Sequence, residues 1–501
     1  MANNGSLKLG WAEVSITPEG RRIMLEGQFY DRISQYVETP ITATALAIES
    51  DGEQAVIISA DLTHVTADLV AMVRAELKDK APGFDPMKLI VGATHTHTSF
   101  VYQTSNDLNL HALEDYLGIP EEPVFGNGNV ETDNLMEPLE AGRFLAGRLS
   151  DAAAQAWKNR APARFAPAFG RAAVGMNRRV CYFDGTAKMW GDTYTSEFKK
   201  LEGGNDNGVE MIFVYDKSMK PTGAVINIAC PAQVVEQRYF ISSDYWGKVR
   251  ILLRRRFGED FKVLGICSPA GDQCPRDLVR WVEPETPIED PNVIRNDPPA
   301  RRADPSMFDV KGTWKIGRRI TDEVTAIFEE DAAGREYFDS VPFKHEVIQM
   351  PLPLRRVTEE ENRAARAALD AFAVECRGRK INFRDSAAMH ESAGIAARYD
   401  HQKTTDTFMT EIHVIRLGDI AIATNPFELF LDFANIIRAR SAAKQTFLIQ
   451  LANGASGYLP TEEAEKGGHY SAYVSSGWVG HEGGYKLAEN ILDEIGKLFA
   501  E

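Results

Sequence analysis

The chain contains few cysteines, and none has the spacing of a metal-binding or redox motif. There are five among 501 residues, and no two of them form a Cys-x-x-Cys pair. Cysteine-rich zinc sites and disulfide frameworks need regularly spaced cysteines, so both classes are excluded. The pattern indicates reduced thiols and predicts a cytoplasmic protein.

Long apolar runs and positive charge are also lacking. No stretch of about 18 apolar residues occurs, so no membrane span is predicted. The first ten residues lack the basic and apolar regions of a secretory signal. The formal net charge of -16 argues against nucleic acid or an anionic membrane as the main partner. We expect a small-molecule substrate and leave homo-oligomerisation open.

A pair of histidines stands out in what the chain does contain. His95 and His97 directly follow the β-branched run 89–91. Alternation along an extended segment puts residues i and i+2 on one face, so both rings are expected to enter one cavity. Histidine is the commonest metal ligand and carries protons near neutral pH. Two solvated histidines at a strand end remain an equally good interpretation of this motif alone.

The surrounding pattern predicts a mixed α/β fold. Residues 42–49 and 54–60 form β-rich runs around an Asp-Gly turn, and a helix then leads to the strand before His95. Strand, helix and strand make a βαβ unit with parallel strands. Two further hairpins are predicted at 208–230 and 410–425, and no internal repeat is apparent. We expect one domain over residues 1–501, built of mixed sheets flanked by helices, with 277–310 as an insertion or lid.

Together the motifs resemble the catalytic domain of the neutral/alkaline (non-lysosomal) ceramidase superfamily, in a divergent bacterial-type form. The similarity lies in scattered motifs whose order is shared along the chain. They are the opening strand 10–18, Ser59-Ala-Asp-Leu62, Ala93-Thr-His-Thr-His97, Gly271-Asp272-Gln-Cys274-Pro275, Asn425-Pro-Phe-Glu428, and Gly457-Tyr458 followed by Tyr470. Members of that family are zinc-dependent amidases that cleave the acyl amide of sphingolipids.

The resemblance implies a role for each matching residue. His95, Glu428 and Tyr458 are expected to bind one zinc ion. The groups expected to stabilise an oxyanion or hold the substrate are His97, Arg178 and Tyr470. Cys274 takes the nucleophile position, with Asp272 beside it. Further substrate contacts are expected from Asp61, Gln233, Asp244 and His469.

The chain departs from the family pattern at three points. Pro231, which cannot bind metal, occupies the position of the second zinc histidine, and Gln233, Cys230 or Asp244 are left open as substitutes. Cysteine replaces the nucleophilic serine at position 274. The family's C-terminal immunoglobulin-like domain and a signal peptide are not expected. These departures favour a cytoplasmic enzyme with a small polar substrate over one acting on membrane ceramide.

Three functions follow as hypotheses. The first is a zinc-assisted hydrolase that cleaves an amide or similar acyl bond. The second is a glycosidase acting on a sugar or cyclitol, favoured by polar residues such as Glu236 at the predicted site. The third is a binding protein on a degenerate hydrolase fold, favoured by Pro231 and Cys274.

Overall fold

The computed structural model describes residues 6–104, 112–122, 124, 133–280, 309–330, 334–377 and 379–500. The expected insertion at 277–310 therefore lies mostly outside the described residues. In the part of the chain that is described, no helix is long and apolar enough to cross a membrane.

Helices and strands alternate through the described chain. The strands are β1 Lys8–Ser15, β2 Thr42–Ser50, β3 Glu53–Ala60, β4 Leu89–Ala93, β5 Ala161–Pro162, β6 Arg164–Arg171, β7 Met176–Asn177, β8 Arg179–Tyr182, β9 Ala187–Met189, β10 Phe198–Leu201, β11 Gly208–Tyr215, β12 Pro221–Ile228, β13 Lys262–Cys267, β14 Gln273–Cys274, β15 Phe343–Pro353, β16 Thr407–Leu417, β17 Ile420–Thr424, β18 Glu428–Leu429, β19 Gln445–Ile449 and β20 Tyr458–Leu459. The helices are α1 Ala67–Lys80, α2 Ala112–Leu117, α3 Pro138–Lys158, α4 Asp244–Phe257, α5 Asp309–Glu330, α6 Glu359–Glu375, α7 Phe383–His401, α8 Leu431–Arg440, α9 Glu462–Gly467 and α10 His481–Ala500.

Three larger mixed sheets form the body. Their strand orders are β4-β3-β2-β1-β5, β13-β12-β11-β6 and β15-β16-β17-β19. In each sheet one strand pair is parallel, namely β3 with β4, β12 with β13, and β17 with β19. The remaining pairs are antiparallel, so the expected mixed sheets and the βαβ unit before His95 are confirmed.

The same structural unit occurs once in each sheet. An antiparallel hairpin is followed by a helix and then by a strand parallel to the second hairpin strand. The units are β2-β3-α1-β4, β11-β12-α4-β13 and β16-β17-α8-β19. The sequence shows no repeat because the order of elements recurs without recurrence of residues. The carboxyl ends of the parallel strands are where ligands collect in open α/β sheets.

The three sheets enclose a central core. It contains buried aliphatic side chains from all of them, including Ile57, Leu264 and Ile422. The outer faces are covered by helices, with α1 and α3 on the first sheet, α4 and α5 on the second, and α8 and α10 on the third. Strands buried on both faces read as continuous apolar runs, as β4 does.

Local signals explain several element boundaries. Asp51 and Gly52 both have positive φ, as the tight turn of the first hairpin requires. Thr358 and Glu361 form the predicted capping box at the start of α6. Glu428 was expected at the start of a helix, but it lies in the short strand β18, which pairs with β20 before α8 begins.

Candidate active site

The three units deliver polar side chains to one place. His95 and His97 follow β4, Gln233 follows β12, and Glu428 follows β17. Tyr458 is in β20, the partner of the strand that holds Glu428. The structure thus brings together groups that are far apart in the sequence, at the strand ends where the sequence pattern placed them.

The histidine pair is held from outside by main-chain carbonyls. Nδ1 of His95 lies 2.6 Å from the carbonyl oxygen of Thr63, and Nδ1 of His97 lies 3.0 Å from that of Gly27. A carbonyl accepts, so each Nδ1 carries a hydrogen and each Nε2 is directed inward. The two Nε2 atoms are 3.3 Å apart and face the centre of the site. Burial, the nearby His95 and two arginines hold the pKa of His97 well below its ordinary value.

Glu428 faces the first histidine. Its Oε2 atom lies 3.4 Å from Nε2 of His95. Burial raises the pKa of Glu428, but His95 and Arg178 outweigh this effect, and the pKa ends below its ordinary value. The carboxylate is therefore ionised at neutral pH and directed at Nε2 of His95.

Arg178 supplies a fixed positive charge. The side chain is almost fully buried, and its Nη2 atom donates to the carbonyl of Gly271 at 2.8 Å and to the hydroxyl of Tyr458 at 3.3 Å. Nη1 donates to Oε1 of Gln233 at 3.3 Å, and the guanidinium lies 3.8 Å from Glu428. Burial lowers the pKa of Arg178, but Tyr458 and Glu428 raise it above its ordinary value.

Gln233 connects the arginine to the second histidine. Its Nε2 atom donates to Nε2 of His97 at 2.7 Å, while its Oε1 atom accepts from Arg178. Nε2 of His97 is therefore the acceptor in this contact, which indicates that the ring is neutral. His97 was expected to stabilise an oxyanion or hold the substrate, and the neutral tautomer that these contacts indicate has no hydrogen on Nε2 to donate to an oxyanion.

Two tyrosines complete the cluster. The rings of Tyr458 and Tyr470 lie 5.6 Å apart, edge to face. Burial, together with Glu428, raises the pKa of Tyr458 well above its ordinary value. Burial also raises the pKa of Tyr470 to about 12. Both side chains are neutral phenols at physiological pH.

Asp272 and Cys274 form hydrogen bonds with segments next to the site residues. The carboxylate of Asp272 accepts from the amide of Leu431 at 2.9 Å and from Asn177 at 2.8 Å. It thereby ties the start of α8 to the strand that precedes Arg178. The thiol of Cys274 is completely buried and donates to the carbonyl of Arg276, and burial raises its pKa to about 12. The expected nucleophile is thus a protonated thiol.

The other side chains that were expected to contact a substrate form hydrogen bonds or ion pairs within the protein. Both carboxylate oxygens of the fully buried Asp61 bind Arg250, at 2.7 and 2.8 Å. Asp244 accepts from the main-chain amide of Val235 at 2.9 Å, which fixes the loop that carries Gln233. Burial raises the pKa of Asp244 to about 7. His469 accepts from the amide of Met189 at 3.2 Å. These contacts leave the expected substrate roles of Asp61 and Asp244 without geometric support.

The separation of His95 and Glu428 matches that of two ligands of one zinc ion. Two ligands of a tetrahedral zinc with bonds near 2.0 Å lie about 3.3 Å apart, which is close to the 3.4 Å observed between His95 and Glu428. The carbonyl behind His95 is the usual outer partner of a zinc-bound imidazole. No group of three or more His, Cys, Asp or Glu side chains within the described ranges is arranged to hold a metal. The family resemblance names the phenol oxygen of Tyr458 as the third protein donor, and this hydroxyl accepts from Arg178 at 3.3 Å.

The contacts of Gln233, Cys230 and Asp244 show which of them reaches the site in place of the histidine expected at position 231. The thiol of Cys230, beside Pro231, is hydrogen-bonded to main-chain carbonyls, and burial raises its pKa well above the ordinary value. The carboxylate of Asp244 is directed at main-chain amides. Of the three, Gln233 alone reaches the site, where it binds His97 and Arg178.

Sequence reasoning assigned no role to two arginines at this site. The fully buried Arg32 donates to the carbonyls of Glu26 and His97 at 2.6 and 2.7 Å, and it also binds that of Glu236. Arg276 forms an ion pair of 2.8 Å with Glu236, whose carboxylate lies 4.0 Å from His97. No local motif marks Arg32, whereas Arg276 could have been noticed directly after Cys274-Pro275.

Comparison with known proteins relates the fold to solved structures. No family model matches the sequence, and no curated protein matches it significantly. The neutral ceramidase from Pseudomonas aeruginosa matches with a TM-score of 0.66 and 16% identity, over 99% of this chain and 74% of that chain. A ceramidase complexed with C2 matches with a TM-score of 0.64 and 15% identity, over 99% of this chain and 76% of that chain. The chain therefore has the fold of the neutral ceramidases.

Proposed function

We propose that the protein is a zinc-assisted hydrolase that cleaves an amide or similar acyl bond in a small polar substrate. The observation that carries this proposal is the convergence of His95, Glu428 and Arg178 from three separate parts of the ceramidase-like fold. The imidazole of His95 and the carboxylate of Glu428 lie beside the buried guanidinium of Arg178. Such a set suits a reaction in which negative charge develops on a carbonyl oxygen.

The zinc would be held by His95, Glu428 and Tyr458. When bound, it would polarise the acyl carbonyl or lower the pKa of a water molecule. The carbonyl of Thr63 keeps Nε2 of His95 directed inward, and the ionised Glu428 supplies the negative charge of the set.

The chain's own residues supply the remaining chemistry. Arg178 remains charged and can bind the developing oxyanion through its guanidinium, the residue type best suited to planar recognition of an anion. The hydroxyl of Tyr470, neutral at physiological pH, can donate to the same oxygen. Nε2 of His97 accepts from Gln233 and Nδ1 donates to Gly27, so this ring holds Gln233 in place beside Arg178.

The polar surroundings favour a small polar substrate. Around the histidine pair lie Gln233, Arg178 and the ion pair between Glu236 and Arg276. Recognition of a long acyl chain needs a continuous apolar lining, whereas these groups offer hydrogen bonds and charge. The acyl compound is therefore expected to carry hydroxyl or charged groups close to the bond that is cleaved.

A glycosidase is the second candidate. Glu428 lies 3.4 Å from His95, and Glu236 lies 4.0 Å from His97, so one carboxylate flanks each histidine. Glycoside cleavage uses a pair of carboxyl groups on either side of the scissile bond. A substrate panel separates this candidate from the amidase, and a protein without turnover on either panel would be a binding protein.

The test combines metal analysis with turnover. Purified protein is analysed for zinc per chain and assayed on N-acyl amides and on glycosides, before and after treatment with a chelator. We expect about one zinc per chain, and turnover of amides that the chelator abolishes and added zinc restores. Turnover of amides by metal-free protein would refute the zinc mechanism.

Two histidine variants localise the effect. His95→Ala is expected to lose zinc and at least about a hundredfold in turnover together, because it removes an oriented ligand. His64→Ala is the matched control. His64 follows β3 at the same sheet edge, but its ring packs against Tyr102. The control should keep both zinc and turnover.

A further inference from the structure

A second cleft lies apart from the candidate active site. It has a volume of about 530 Å³ and runs between β6 and the first residues of β17 and β19. Its lining shares no residue with the site built around His95. Much of its wall is apolar and is formed by Phe165, Pro167, Phe338, Val341 and Pro342.

A carboxylate lies in this apolar cleft. Glu210 is only 9% exposed, and its Oε2 atom accepts from Nε2 of Gln445 at 2.6 Å. The same amide also donates to the carbonyl of Ala168 at 2.8 Å. Burial raises the pKa of Glu210 against the opposing effects of Gln445 and Arg438. Burying a carboxylate is costly unless a positive charge or several hydrogen bonds compensate.

The charged side chains at the cleft leave an excess of negative charge. Arg438 is paired with Asp206 at 2.7 Å, and Lys444 is paired with Asp419 at 2.5 Å. Among the residues that the structure describes, Glu210 has no basic partner within ion-pair distance, and the same holds for Glu336 at the rim. The cleft is therefore complementary to a positively charged ligand.

We propose that this cleft binds a small primary ammonium ion carried on an apolar body. The ammonium group pairs with the carboxylate of Glu210, and the apolar body packs against the phenylalanine and proline walls. A volume of about 530 Å³ suits a ligand of this size. The Coulomb attraction between two opposite charges is stronger where water is excluded. The buried position of Glu210 provides such a place for a positively charged partner.

The first test compares three ligands of matched shape by calorimetry on the full chain. Phenethylammonium carries the charge, 2-phenylethanol has the same apolar body without charge, and 3-phenylpropionate has the opposite charge. We expect phenethylammonium to bind at least about tenfold more tightly than the alcohol, with no binding of the acid. Equal binding of the alcohol, or no binding of phenethylammonium up to millimolar concentration, would overturn the proposal.

Two variants locate the bound ligand. Glu210→Gln is expected to weaken phenethylammonium binding at least about tenfold and to leave the alcohol unaffected. The variant should fold, because glutamine still offers an oxygen to Gln445 and no buried charge remains. His95→Ala must bind phenethylammonium as the unaltered protein does, since it changes the other site. Loss of binding in His95→Ala, or unchanged binding in Glu210→Gln, would assign the ligand elsewhere.

Discussion

The orientation of His97 depends on a glycine. Gly27 has a φ of +98°, and its carbonyl accepts the hydrogen of Nδ1 of His97. A Cβ atom at this position would lie 2.2 Å from that same nitrogen. Gly27→Ala is therefore expected to displace the imidazole, to lower turnover by about tenfold or more, and to destabilise the fold by about 1–3 kcal/mol. Amide turnover and thermal unfolding measure the two effects.

Gly52→Ala is the control for backbone strain alone. Gly52 has a φ of +83° in the first hairpin turn, and nothing lies within 4 Å of the position that an added methyl group would take. This variant should lose stability but keep its turnover. If both variants lose turnover to the same extent, the effect of Gly27 comes from general destabilisation and not from His97.

The state of the thiols gives a prediction about Cys274. All five cysteines are buried and free. Burial raises the pKa of Cys274 to about 12, so roughly one molecule in 10⁴ carries the thiolate at pH 8. Iodoacetamide at pH 8 should leave Cys274 of the native protein unmodified and should label five cysteines after denaturation. We also expect Cys274→Ala to retain most of the turnover, whereas rapid native labelling of Cys274 together with loss of turnover would restore it as the nucleophile.

At the scale of the element, two neighbouring arginines at the junction of β7 and β8 make different contacts. Arg178 enters the site, whereas the fully buried Arg179 binds the loop that holds Tyr470. Arg179 donates to the carbonyls of Tyr470 and Gly468 at 3.1 and 2.9 Å, and it forms a bidentate pair with Glu202. In this loop two non-glycine residues, His469 and Ser471, have positive φ. The guanidinium therefore stabilises a strained loop conformation that places Tyr470.

Replacement of Arg179 tests this positioning. Arg179→Lys keeps the charge but cannot make the planar set of contacts, so turnover should fall about tenfold. If Arg179 acts through Tyr470, the double variant Arg179→Lys/Tyr470→Phe should be no slower than Tyr470→Phe alone. Arg256→Lys, at an exposed ion pair with Glu329, is the control and should leave turnover unchanged. Additive losses in the double variant would show that Arg179 acts independently of Tyr470.

Elements with local signals could be predicted from the sequence, and long-range partners could not. The Asp51-Gly52 turn and the Thr358 capping box depend on residues a few positions apart, and both are confirmed. Asp61 was expected to face a substrate, but its partner Arg250 lies 189 residues away in the chain. The different roles of Arg178 and Arg179 follow from which segments pack around the junction of β7 and β8, and that depends on tertiary structure.

The same limit applies to the candidate site. The family resemblance predicted that His95 and Glu428 would share a site, whereas the strand pattern could not, since β4 and β17 belong to different sheets. The tautomer of His97 depends on the Gly27 carbonyl and on Gln233, which come from two other segments of the chain. No sequence pattern reports that combination.

At the scale of the whole molecule, single side chains join the sheets to one another. Asn227 of β12 is only 1% exposed. Its Nδ2 atom donates to the carbonyl of Leu448 at 2.9 Å, and its Oδ1 atom accepts from the amide of that residue at 3.3 Å. Leu448 belongs to β19, an edge strand of the third sheet, so the asparagine side chain takes the place of a neighbouring strand. Since the site takes residues from all three sheets, such contacts set its geometry.

Asn227→Ala should therefore lower the free energy of unfolding more than the loss of a small side chain would, because it weakens the junction between the second and third sheets. The substitution leaves the amide and carbonyl of Leu448 buried without a partner, at an expected cost of about 2–4 kcal/mol. Ile228→Val, one residue further along β12, removes one buried methylene and should cost only about 0.5–1.5 kcal/mol. Denaturant unfolding followed by far-UV circular dichroism and tryptophan fluorescence measures both variants. If the sheets form one cooperative body, the two signals shift together in Asn227→Ala. Two separated transitions would mean that the second and third sheets unfold independently. The site could then open between these two sheets.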